Sequence, residues 1–143
     1  MSEDYPSAAK RHLEDSRTLL DAQRWDNSAY LAGYVIECSL KALITFPAPP
    51  AGIEVKEIGH DVTKLVSVLD SMAASRIVGR RRSVESRLIS RLRSEMNLHL
   101  IWNPAMRYEK SGKIAEPVAQ KWWRLANGAF RGLAKDLCAG ETV

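Results

Sequence analysis

The stretch that most constrains this chain is residues 30 to 44, YLAGYVIECSLKALI. It is almost entirely small or apolar, yet it sets Glu37 and Lys41 one helical turn apart, with Tyr30 and Tyr34 just ahead of them. At about 100° per residue, Asp26, Tyr30, Gly33, Tyr34, Glu37 and Lys41 fall within one stripe of roughly 100°. The rest of the circumference is Leu31, Ala32, Val35, Ile36, Cys38, Leu40, Ala42, Leu43 and Phe46. A helix apolar over most of its circumference belongs in the middle of a bundle, so its polar stripe must face a partner helix, a cleft or a second subunit. Glu37 in such a place needs a cation and hydrogen bonds, because an unpaired buried carboxylate is strongly destabilising or takes up a proton. Lys41 and Arg107 are both candidate partners. The plain alternative is an exposed i, i+4 pair worth a few tenths of a kcal/mol. A buried polar cluster with the tyrosines as its aromatic wall is the preferred reading.

Helical periodicity continues along the chain, with no alternating β-branched runs or hairpin signals. The expected fold is all-α, an up-and-down bundle of about five helices, and 143 residues make one domain, 1–143. The first helix runs from about Pro6 to about Gln23 and contributes Leu13, Leu19 and Leu20. Asp26 is placed to cap the second, which reaches about Phe46 before PAPPAGIEVKEIGH breaks it. Asp61 can cap a third helix showing Leu65, Val66, Leu69 and Met72. A fourth, from about Ser83 to Leu98, uses Val84, Leu88, Leu92 and Met96. Residues 99 to 115 read as an irregular connection. The final helix begins near Glu116 and carries Val118, Trp122, Leu125, Ala129, Leu133 and Leu137 as a continuous stripe. Gly128 and Gly132, one turn apart in it, lower helix propensity and predict a close neighbour.

No run approaches the roughly 18 to 20 apolar residues of a membrane span, and MSEDYPSAAKRHLEDSR is polar where a signal peptide is basic and then apolar. A cytoplasmic protein with no membrane association is expected. Two cysteines, Cys38 and Cys138, suggest neither a disulfide framework nor a zinc site, and no cofactor or metal is expected.

Charge is unevenly distributed. Residues 76 to 93, RIVGRRRSVESRLISRLR, hold seven arginines and one glutamate, a local +6 against +4 for the whole chain, which leaves −2 for everything else. Such a concentration has the form of an electrostatic footprint for a phosphate backbone. The guanidinium fork matches phosphate oxygens, which makes Arg80, Arg81, Arg82, Arg87 and Arg91 the phosphate-binding candidates. A solvated helix face is the competing reading. The segment has no Phe, Tyr or Trp, so it offers no base stacking.

Taken in order, YLAGYVIECSLKALI after RWDNSA, GHDVTKL after a proline-rich loop, and WNPAMRY before the last helix resemble the HEPN domain, from roughly Ala8 to Leu137. The strongest piece is the Tyr-x-x-Glu-Cys-x-x-Lys-Ala pattern of residues 34 to 42. The resemblance implies a helical bundle that commonly forms a homodimer, often beside a nucleotidyltransferase partner. Many HEPN proteins are metal-independent RNases, some of them toxins of toxin–antitoxin pairs, built on an Arg followed after four to six residues by a His. Others serve as binding or partner modules for RNA or a nucleotide. The matching pair in this sequence is Arg93 and His99 in RSEMNLH. Ser94 follows the arginine where active members carry Asn, Asp or His. Positions six apart on a continuous helix also point about 120° from each other, so convergence needs a break between them. A binding module without robust catalysis is therefore the preferred expectation, and an RNase using Arg93 and His99 is the alternative.

The expected binding cluster is Tyr34, Glu37, Lys41, His60, Arg107 and Tyr108. His60, between Gly59 and Asp61, also reads simply as closing its loop through local bonds. Arg107 and Tyr108 read equally as a salt bridge and a tyrosine packed on the bundle.

Overall fold

The computed structural model describes residues 3–45, 50–75, 87, 90–94, 102, 104–108 and 110–141. The elements are α1 (Tyr5–Asp21), α2 (Trp25–Thr45), a single turn α3 (Val55–Ile58), α4 (Val62–Ser75), a 3-10 turn η1 (Pro104–Tyr108) and α5 (Glu116–Glu141). Residues 90–94 are also helical. There is no strand among the described residues, and the protein is an all-α bundle. No helix among them is long and apolar enough to cross a membrane.

α2 sits at the centre, packed between α1 and α5 and touching α4, α3 and η1. Its sequence dictates that position. Ala29, Ala32, Val35, Leu40, Leu43 and Ile44 are all buried, on faces that no single neighbour could cover. Leu65, Val66 and Leu69 from α4, Leu92, and Trp122, Leu125, Ala129 and Leu133 from α5 complete the core. The expected stripe of α5 is thus inward-facing from Trp122 to Leu133, with Val118 at its partly buried edge, while the side chain of Leu137 lies outside the described residues. The short link between α1 and α2 makes them antiparallel neighbours. Where they cross, two buried serines exchange hydrogen bonds: Ser16 Oγ donates to the Ser28 carbonyl at 2.8 Å and Ser28 Oγ donates to the Ser16 carbonyl at 2.9 Å. Neither hydroxyl is left unpaired, and side chains this small let the helices approach closely.

Helix ends differ from expectation in instructive ways. α1 begins one residue before Pro6, because Asp4 is its cap and accepts from Ser7 N at 3.0 Å. Asp61 caps α4 as expected, accepting from Lys64 N at 3.0 Å. Asp26 does not cap α2, which starts a residue earlier at Trp25. Its carboxylate reaches across the fold to accept from Gly112 N at 2.7 Å and Ile114 N at 2.9 Å, pinning the loop that leads into α5. The proline-rich link contains the extra turn α3, whose Val55 plugs into the core. Part of the connection before α5 is ordered as η1. Gly128 has its close neighbour in the Arg91 guanidinium, which an added Cβ would meet at 3.0 Å. Much of the expected fourth helix lies outside the described residues, as do Arg80, Arg81, Arg82 and His99.

Candidate functional site

Glu37 and Lys41 are buried, at 4% and 7% exposure, and bonded to each other: Lys41 Nζ donates to Glu37 Oε2 at 3.4 Å. This settles the choice of partner, since Arg107 is exposed and stands over the Tyr108 ring. The other carboxylate oxygen, Oε1, lies 2.7 Å from His60 Nδ1. His60 is therefore not a local loop closer. It reaches back 23 residues in sequence to the central helix while half of its side chain, 52%, remains exposed. Lys41 has a second support in Tyr5 of α1, whose ring centroid lies 5.6 Å from the ammonium.

Aromatic rings wall this charged group. Tyr34 stands at the centre of the wall: His12 of α1 stacks on it at 5.6 Å, Trp102 meets it edge-on at 4.7 Å, and His60 meets it edge-on at 5.9 Å. Trp102 is held twice over. Its Nε1 donates to the Tyr30 carbonyl at 2.9 Å, and its indole lies directly on Gly33, where any Cβ would overlap it. Gly33 is thus in the polar stripe to admit the tryptophan, a close approach that no other residue allows.

The wall continues outward to solvent. The Tyr34 and Tyr30 hydroxyls are 3.1 Å apart, and Arg107 lies beside Tyr108 and Tyr30, whose hydroxyls push its pKa up. Arg107 Cζ lies 4.8 Å from the Tyr108 ring centroid. Tyr108 does not pack on the bundle as expected, since it is 78% exposed. Tyr108, Arg107, Tyr30, Tyr34, His60, Glu37 and Lys41 therefore form one connected line from open surface to buried ion pair.

Burial sets the protonation of several groups along it. The Tyr34 hydroxyl is pushed up to about 12, first by burial and then by its bond to Tyr30. Tyr5 is likewise pushed up to about 12 by burial and then by Glu3. Both remain neutral phenols at physiological pH. Burial, followed by the Arg11 charge, lowers His12 and so favours its neutral form. Cys38, the neighbour of Glu37, is pushed up to about 11 by burial and then by that carboxylate, so it is a poor thiolate nucleophile.

Of the other expected residues, Arg87, Arg91 and Arg93 are described, and none forms a hydrogen bond or ion pair with this line. Arg93 is exposed and its guanidinium is committed to Asp70 at 2.7 Å. Its expected companion His99 is among the residues outside the description. Arg87 and Arg91 are both helical and exposed. The sequence reading missed Tyr5, His12 and Trp102 as members of the cluster. Tyr5, Ala9, His12 and Ser16 follow the i, i+4, i+7, i+11 spacing of one helix face, a signal hidden because three of the four are not aliphatic.

Compared with protein-family models, with curated proteins and with solved structures, the chain matches none.

Proposed function

We propose that this chain is a HEPN-like binding module that engages single-stranded RNA, or a nucleotide, at the line running from Tyr108 to His60, without robust catalysis of its own. The observation that carries the reading is the Arg107–Tyr108 pair: an exposed aromatic ring with a guanidinium against it, beside Tyr30 at the outer end of the aromatic wall. Every base has a face that stacks on such a ring, and every phosphate suits such a fork, so the pair fits a nucleotide unit without demanding a particular sequence. The resemblance adds pairing with a second copy and a nucleotidyltransferase as partner, and the arginines of residues 76 to 93 would supply a second, purely electrostatic contact.

Fluorescence anisotropy with a short single-stranded RNA tests this, with sedimentation run on the same samples to read pairing. Tyr108→Ala is expected to lose about 1–3 kcal/mol of binding, roughly 5- to 150-fold in Kd. Arg107→Ala should weaken binding and flatten its salt dependence by about one counterion. Affinity unchanged in both variants would remove the site. Chelator-resistant cleavage of the same RNA that vanishes in both Arg93→Ala and His99→Ala would replace the binding reading with the RNase one.

A further inference from the structure

The bond between His60 and Glu37 fixes more than the orientation of a ring. A carboxylate beside the Lys41 ammonium can only accept, so the hydrogen in the 2.7 Å bond sits on His60 Nδ1. In the neutral imidazole the lone pair is then on Nε2. Nδ1 lies against a carboxylate whose side chain is 5% exposed, while the histidine side chain as a whole is 52% exposed. The exposure of the side chain thus lies away from Nδ1, and no hydrogen bond to Nε2 is formed among the described residues.

In the neutral ring, an open nitrogen held as an acceptor is selective about what it can bind. Phosphate oxygens are acceptors too and gain nothing from it. Deoxyribose has no donor at C2′. A ribose 2′-hydroxyl is a donor, and it is the group by which a protein distinguishes RNA from DNA at a given position. We infer that His60 is the residue that selects ribose in this site, its Nε2 accepting a hydrogen bond from the 2′-hydroxyl of a nucleotide held by Arg107 and Tyr108. This rests on the binding function proposed above and adds the sugar to it. Glu37 is the positioning residue, acting only through the imidazole tautomer, and Lys41 keeps Glu37 an acceptor.

The decisive comparison uses an adenosine oligoribonucleotide and its deoxyribose counterpart, which offer identical bases. Both are titrated across a pH series ending at about pH 8.5, because only the neutral ring offers a lone pair at Nε2. The ribose form should bind about 2- to 10-fold more tightly through this contact, the worth of one neutral hydrogen bond. His60→Phe keeps a ring but has no acceptor, and Glu37→Gln frees the tautomer, so each should reduce the ribose-to-deoxyribose ratio by that factor. A loss of affinity equal for both oligonucleotides would mark a merely structural role and overturn the inference. Independently of any ligand, long-range nitrogen–proton NMR of the free protein should find His60 as the Nδ1–H tautomer, which Glu37→Gln abolishes. Finding the Nε2–H tautomer, or a ratio that both variants leave intact, overturns the inference alone. Failure of both oligonucleotides to bind overturns it together with the binding function.

Discussion

Truncating Glu37 to alanine isolates the energetic centre of the cluster. The substitution leaves the Lys41 ammonium, 7% exposed, without its anion, and leaves His60 Nδ1 without its acceptor. The imidazole is half exposed and can turn to water, so its loss is small. Lysine is the costly partner, because breaking a buried pair by removing one member costs about 3–5 kcal/mol. Two features of the structure favour the lower end. The ammonium keeps its contact with the Tyr5 ring, worth about 0.5–2 kcal/mol, and its four-carbon stem can carry the charge toward solvent. A loss of about 3 kcal/mol follows. For a chain of this size it corresponds to a fall in Tm of about 6–12 °C, and a total stability of about 5–15 kcal/mol leaves the variant folded. Urea unfolding followed by far-ultraviolet circular dichroism measures it, provided the denaturant slope is unchanged. A second arm guards against a trivial cause: the double variant Glu37→Leu, Lys41→Met removes both charges and should recover most of the loss, since apolar replacement of a whole buried pair is often neutral. A loss below about 0.5 kcal/mol for Glu37→Ala would mean a solvent-screened pair and refute the argument.

Two further outcomes follow from the wall around that pair. The pKa of His12 is lowered from 6.5 by burial and by Arg11, so between the lowered value and 6.5 the unfolded chain binds a proton that the native state refuses. The contribution to stability is present in full above pH 6.5 and is lost as pH falls toward the lowered value, so urea midpoints should decline below pH 6.5 more steeply in the native protein than in His12→Gln, and equal slopes would contradict it. Gly33→Ala drives a methyl group into the Trp102 indole, which must leave Gly33 and give up its bond to the Tyr30 carbonyl. About 1–3 kcal/mol of overpacking cost and a shifted Trp102 indole resonance are expected, and an unmoved resonance at full stability would count against the close contact.

How much of this was legible in the sequence differs element by element. The central place of α2 was readable because burial on all sides leaves a long apolar run, and a run of that length at helical period has few alternatives. The Asp61 cap was readable because capping is a local event. Asp26 shows the limit of the same rule. An N-cap residue type near a helix start was correctly noticed, but its carboxylate serves backbone groups 86 and 88 residues away. His60 was expected in the cluster, but a loop residue has no periodicity, so its direct bond to Glu37 has no signature in the neighbouring sequence. The Gly33–Trp102 contact is likewise a relation between two distant positions, each unremarkable alone. Tyr108 illustrates the opposite error, since an aromatic residue was expected to pack and instead stands in water. Patterns of three and four residues encode which face is buried; they do not encode which loop arrives there.

The buried ion pair poses a question that stability alone does not answer. Two apolar residues of similar volume would serve the core about as well, so the pair is poor evidence for stabilisation as such. What an apolar pair would lose is the acceptor that His60 meets. A glutamine at position 37 would lose it as well, because an amide can present either a donor or an acceptor to the ring. Only a carboxylate is an acceptor on both oxygens, and only a neighbouring cation lets a carboxylate stay charged at 4% exposure. Lys41 to Glu37 to His60 is thus an ordered dependence in which each group sets the state of the next, ending at a nitrogen in solvent. Stability and ligand discrimination should separate along it. Lys41→Met and Glu37→Gln disturb folding to different degrees, yet both release the same tautomer, and a common effect on ribose selectivity despite unequal stability losses is the signature of that order.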